Sequence, residues 1–127
     1  MKKITVEWRH LDVDGETCRR CDDTGNEVRT AVARLDAECR PKGVRVALRE
    51  IRLAGSELAE SNLILVNGRR LENLLPEASV SDSACSSCTE LTGREARCRT
   101  LVRLDKVFET LPRSLIREAV CREAACC

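Results

Sequence analysis

Aromatic side chains are nearly missing from this sequence: 127 residues contain one Trp, one Phe and no Tyr. A folded core must therefore be filled by aliphatic groups. Charge of one sign is not in excess either. Lys plus Arg number 22 and Asp plus Glu 21, a formal net charge of +1, so no broad basic field exists to hold nucleic acid or an anionic membrane surface. Neither is expected as a partner. Long apolar runs are also lacking, because the longest candidate, Leu63-Ile64-Leu65-Val66, falls far short of the ~20 residues that cross a bilayer. The start, Met1-Lys2-Lys3-Ile4-Thr5-Val6-Glu7, reaches an acidic residue before any unbroken apolar stretch, so no signal peptide and a cytoplasmic location are expected.

What is present is sulfur. The apolar fraction of 43% and the length suit one folded domain spanning 1–127, while nine cysteines are an odd count that no complete set of intramolecular disulfides can absorb. In a reducing cytosol, cysteines at this density are expected to be metal ligands or exchanging thiols rather than structural staples.

Hydrophobic spacing orders the elements. Ile4, Val6 and Trp8 alternate with polar residues as a first strand near 3–9. Val28, Val32, Leu35 and Cys39, with Ala31, recur at helical spacing, which predicts a helix from about Cys21 to Arg40 that Pro41 and Gly43 stop. Val44, Val46 and Leu48 predict a second strand near 43–50, and Leu63–Val66 a buried central strand near 62–67, with Asn67-Gly68 as a hairpin turn. Leu71, Leu74 and Leu75 then fit a short edge strand running into one helical turn. Glu77 to Arg97 is rich in Ser, Thr, Cys and Gly and reads as a long loop, followed by a hairpin near 99–110. A last helix is expected to be N-capped by Thr110, with Pro112 in its first turn and Leu115, Ile116, Ala119 and Val120 as its apolar stripe.

The cysteines fall into three groups. Cys18-Arg19-Arg20-Cys21 lies where the first strand passes into the first helix, so a thiolate there faces unsatisfied N–H groups, the positive end of the helix dipole and two arginines, all of which lower a thiol pKa. Cys18 is the expected attacking thiolate, and Cys21 can resolve a mixed disulfide formed on it. The competing reading makes this pair half of a zinc site. In the second group, Cys85-Ser86-Ser87-Cys88 and Cys98 have spacing that suits two sulfurs on one tetrahedral zinc with a third ligand nearby. In the third group, Cys121 and Cys126-Cys127, the vicinal pair can offer soft thiolates to mercury, arsenic or copper(I), although a frayed tail is the simpler expectation. Cys39 and Cys121 are expected to be small buried apolar residues. His10, a lone histidine after the first strand, is expected to be solvated.

Thr17-Cys18-x-x-Cys21 between strand and helix, Ser61-Asn62 before Asn67-Gly68-Arg69, Cys85-x-x-Cys88 and Cys98-Arg99-Thr100 together resemble a family of small uncharacterised thioredoxin/glutaredoxin-like proteins. The resemblance covers nearly the whole chain. It implies an α/β, thioredoxin-like fold: a mixed sheet with flanking helices, a cysteine-containing excursion over 77–98, a C-terminal hairpin and helix, and a flexible tail over 123–127. Where thioredoxins and glutaredoxins place a cis-proline before the buried strand, this sequence has Glu60-Ser61-Asn62, a departure that weakens the likeness to a general protein-disulfide reductase and leaves metal binding open. The expected function is thiol/disulfide exchange through Cys18 and Cys21 on a disulfide or thiol-reactive substrate, with no cofactor required. The alternative is a protein that binds zinc or a soft metal through Cys85, Cys88 and Cys98 without turnover.

Overall fold

The computed structural model describes residues 2–11, 19–53, 63–84 and 97–127; at 19–21, 82–84 and 97–99 the description is of the backbone alone. Strand β1 (Lys2–Leu11) buries Ile4, Val6, Trp8 and His10 on one face and leaves Thr5, Glu7 and Arg9 half-buried on the other. Helix α1 (Arg19–Cys39) covers the buried face with Val28, Ala31, Val32, Leu35 and Cys39. It gives way to a 3₁₀ turn, Arg40–Lys42, that begins with Pro41 near its start and is capped by Gly43. Gly43 has φ 78°, a left-handed geometry that glycine adopts without a Cβ penalty, and its N–H donates to the Arg40 carbonyl at 3.0 Å.

Strand β2 (Val44–Leu53) runs parallel to β1, from Lys2 opposite Val44 to Leu11 opposite Leu53. Strand β3 (Leu63–Val66) pairs antiparallel with the other edge of β1, and β4 (Arg69–Arg70) antiparallel with β3. The turn between them places Asn67 at φ 50° and Gly68 at φ 80°, the pair of left-handed residues a tight hairpin requires. Asn67 Oδ1 also accepts the Thr5 N–H at 2.8 Å. The result is a mixed four-stranded sheet of order β2-β1-β3-β4. A single helical turn, α2 (Leu71–Leu74), follows.

A second sheet of order β5-β6-β7 is built from β5 (Ala78–Ala84), β6 (Arg97–Arg103) and β7 (Lys106–Phe108). The long loop expected from Glu77 to Arg97 is thus strand at its start. Ala-Ser-Val-Ser-Asp-Ser-Ala carries no apolar face because β5 is an edge strand, held by its ladder to β6 rather than by burial. The remainder of that loop and the connection over 54–62 lie outside the described residues.

Helix α3 (Arg113–Ala124) begins two residues later than expected, with Pro112 rather than Thr110 at the N-cap. It packs against α1 and β3, burying Leu115, Ile116, Ala119, Val120 and Ala124. Salt bridges Arg113–Glu27 at 2.8 Å and Arg117–Glu38 at 2.6 Å tie it to α1. Arg103 clamps Glu118 through two bonds, at 3.0 and 2.7 Å, which anchors the second sheet to the same helix. The architecture is α/β. Residues 123–127, expected to be a free tail, begin within α3 and fold back so that Cys126 is buried against α1. Among the described residues, no helix is long and apolar enough to cross a membrane.

Candidate functional site

The first cysteine pair belongs to the C-terminal end of β1 and the start of α1. Cys21 sits in the first turn of α1; its side chain and all of Cys18 lie outside the described residues. One helical turn after Cys21, Gly25 rests on the indole of Trp8, a fully buried side chain.

His10 stacks on Trp8, with ring centroids 4.1 Å apart and an interplanar angle of 22°. It is 5% exposed, and neither Nδ1 nor Nε2 has a hydrogen-bond partner among the described residues. This corrects the expectation of a solvated loop histidine: β1 extends two residues past the predicted strand, and its alternation points His10 inward with Trp8 and Val6. The sequence signal for this was the continued period of two. An unpaired buried imidazole is costly, and it lies at the end of the sheet from which the chain enters α1. Thr24, also fully buried, accepts the Leu111 N–H at 3.2 Å and so joins this end of α1 to the segment before α3.

The second group is divided by what is described. Cys85 and Cys88 lie outside the described residues, while the backbone of Cys98 is in β6, opposite Ser83. The ribbon's last pair is Ala84 with Arg97, and Cys85 follows Ala84 directly in sequence.

A third assembly was not anticipated as a unit. Cys39, the last residue of α1, pairs with Cys126, and Cys121, in the last turn of α3, pairs with Cys127. The respective Cα separations are 5.7 and 5.3 Å, within the range that a disulfide spans. The Sγ atoms of Cys126 and Cys127 are 3.9 Å apart, and those of Cys39, Cys126 and Cys127 all lie within 4.8 Å of one another. Ala125 makes this possible by adopting a left-handed conformation, φ 54°, that turns the chain back toward α1. Cys39 and Cys121 are thus not merely small apolar fillers. Periodicity placed both on helices but carried no information about a partner 87 positions away.

Charge around this cluster is set by the ends of two helices. Lys42 Nζ donates to the Cys126 carbonyl at 2.6 Å. Asp36, one turn before Cys39, accepts the Val46 N–H at 2.9 Å and bonds Arg40 and Arg45 at 2.7 and 3.0 Å. Those three donors hold its carboxyl far below the usual carboxylate range and fix the end of α1 to the start of β2. Glu118 is likewise lowered, first by its bond to Arg103 and further by Arg122.

Comparison with known proteins places the chain in a family. The family model of a domain of unknown function, DUF2703, matches residues 4–120. The chain belongs to the DUF2703 family. An uncharacterised protein of Archaeoglobus fulgidus is 34% identical over 103 residues, covering 78% of this chain and 72% of its own length. The family match ends at Val120, so Cys121, Cys126 and Cys127 lie beyond it, whereas Cys18, Cys21, Cys39, Cys85, Cys88 and Cys98 lie within it. No solved structure matches the chain.

Proposed function

We propose that this DUF2703 protein is a thioredoxin-like thiol/disulfide exchange protein whose reactive pair is Cys18 and Cys21. The observation that carries the reading is the position of Cys21 in the first turn of the helix that follows β1, the inner strand paired parallel with β2 in a β2-β1-β3-β4 mixed sheet. That end of α1 presents free N–H groups and a positive dipole end, which favour a thiolate over a thiol. Arg19 and Arg20 add positive charge in the sequence between the two cysteines. His10 supports the reading as a buried imidazole near this end of the sheet whose two ring nitrogens have no hydrogen-bond partner among the described residues.

In the exchange, the Cys18 thiolate attacks one sulfur of a substrate disulfide, forming a mixed disulfide and expelling the other sulfur as a thiolate that takes up a proton. Cys21 then attacks the Cys18 sulfur, releases the second substrate thiol and leaves a Cys18–Cys21 disulfide. Two electrons pass to the substrate, and an external thiol or dithiol reductant restores the pair. With it we propose a cytoplasmic setting, where a reducing thiol pool supplies that reductant. The test is reduction of a small aromatic disulfide by the reduced protein: Cys18→Ser abolishes it and Cys21→Ser stalls at the mixed disulfide, whereas unchanged turnover by Cys18→Ser sinks the proposal.

A second reading is favoured by the β5–β6 ribbon. Its closure at Ala84 and Arg97 supports zinc or soft-metal binding by Cys85, Cys88 and Cys98 without turnover. It predicts stoichiometric metal in protein purified without oxygen, lost on Cys88→Ser and retained on Cys18→Ser.

A further inference from the structure

The four cysteines at the C-terminal ends of α1 and α3 are unconnected with the exchange reading. Cys21 and Cys39 stand at opposite ends of one helix, and at about 1.5 Å per residue they are about 27 Å apart. No sulfur of the cluster can relay electrons to Cys21 by contact. The cluster is also a poor place for a nucleophilic thiolate, since both helices bring their C-terminal, negative dipole ends to it. That field favours a cation.

We propose that, in the reduced protein, Cys39, Cys121, Cys126 and Cys127 form a four-thiolate site for a thiophilic d¹⁰ cation of the zinc class. The geometry fits. Bonds of about 2.3 Å place two sulfurs of a tetrahedral zinc about 3.8 Å apart, and Cys126 and Cys127 already stand at 3.9 Å. Cys39 completes a triangle with them inside 4.8 Å, and Cys121 is in contact with Cys127 as the fourth corner. Vicinal cysteines that reach two separate partners bring the sulfurs of Cys39, Cys126 and Cys127 within 4.8 Å of one another and tie Cys121 to Cys127, so a four-sulfur site closes when Cys121, released from Cys127, shifts toward that triangle. Cys39 and Cys126 are buried, Cys121 is half-buried and Cys127 is exposed, so a cation can enter from Cys127 and finish enclosed. Lys42, bonded to the Cys126 carbonyl, offsets part of the negative charge of four thiolates around a divalent ion.

The balance is simple. Each of the two sulfur–sulfur bonds takes two electrons from a thiol or phosphine reductant, with two protons from the thiols or, for a phosphine, from the water whose oxygen leaves as phosphine oxide, to give two thiols; the cation then displaces the thiol protons as it is bound.

The test uses a full-length variant with Cys18, Cys21, Cys85, Cys88 and Cys98 all changed to Ser, which leaves only the cluster's sulfurs. Reduced with a phosphine under argon, it is titrated with Co²⁺ and then with Zn²⁺. The expected result is one Co²⁺ per chain with intense thiolate-to-cobalt absorption, displaced by Zn²⁺ and lost on adding Cys39→Ser. Absence of that absorption in a folded, fully reduced variant overturns the proposal, as does a cluster that stays oxidised in excess reductant. If the multiple variant does not fold, the reduced unmodified chain is alkylated with and without Zn²⁺ and its cysteines are mapped by mass. Protection of Cys39, Cys121, Cys126 and Cys127 supports the site; protection confined to the other five overturns it.

Discussion

Gly25 of α1 and Trp8 of β1 are in face-to-face contact: a Cβ at residue 25 would come within 2.3 Å of the indole Cη2 and 2.8 Å of Cζ3. The missing side chain lets the first half of α1 settle onto the sheet, and it sets the height at which Cys21 and the start of the helix stand over β1.

Gly25→Ala therefore destabilises the protein even though alanine is the better helix former. The indole is fully buried and cannot swing aside, so the overpacking cost of about 1–3 kcal/mol exceeds the propensity gain of about 1 kcal/mol. Urea unfolding followed by fluorescence of the single Trp measures the difference; an unchanged midpoint would show that the helix can lift off without penalty.

His10→Phe is expected to separate stability from activity. Phenylalanine keeps the stack on Trp8 and removes two unpaired buried nitrogens, so stability holds or rises, by up to about 1–3 kcal/mol. Disulfide exchange should slow in the same variant. A variant that is less stable yet fully active would assign His10 a purely structural part.

Thr24→Val removes the oxygen that accepts the Leu111 N–H and strands a buried donor, costing about 1–3 kcal/mol. Thr24→Ser should recover most of that loss. Equal midpoints for the Val and Ser variants would show that the bond is not needed.

Acid should weaken the fold through Asp36 and Glu118. Both carboxyls are held below their ordinary values in the folded chain, so their stabilisation is complete above about pH 5, where unfolded carboxylates are also ionised, and it drains away as pH falls toward the lowered folded values. Asp36→Asn lowers the urea midpoint at pH 7 and narrows the gap between pH 7 and pH 3. A gap as wide as that of the unmodified protein would remove Asp36 from the account.

Ala125→Gly should stabilise the closed cluster by about 1 kcal/mol, because an L-residue at φ 54° carries a Cβ penalty that glycine avoids. Thermal unfolding under non-reducing conditions reads this directly.

Much of the framework was legible because it obeys a single period. β1 and α1 each bury one regular stripe, β2 starts on the alternation of Val44 and Val46, β3 is one short unbroken apolar run, and Asn67-Gly68 announced its own turn. β5 was illegible because an edge strand of alternating Ser and small residues is specified by its partner's backbone, not by its own hydrophobicity. His10 was misjudged by ending β1 too early. The Cys39 and Cys121 pairings depend on tertiary return of the chain, which spacing along the sequence does not encode. Cys18 and Cys21 were legible as a motif; the backbone of Cys21 is in the first turn of α1, and Cys18 lies outside the described residues.

While Cys39 and Cys126 are joined, two cysteines 87 positions apart, the chain between them forms one closed ring that threads β2 through α3. A protease that cuts this ring once, anywhere between the two cysteines, produces no separate fragment. The nicked protein should run as one species until a reductant opens the bond, so the fold tolerates a broken backbone as long as the ends of its two long helices stay fastened.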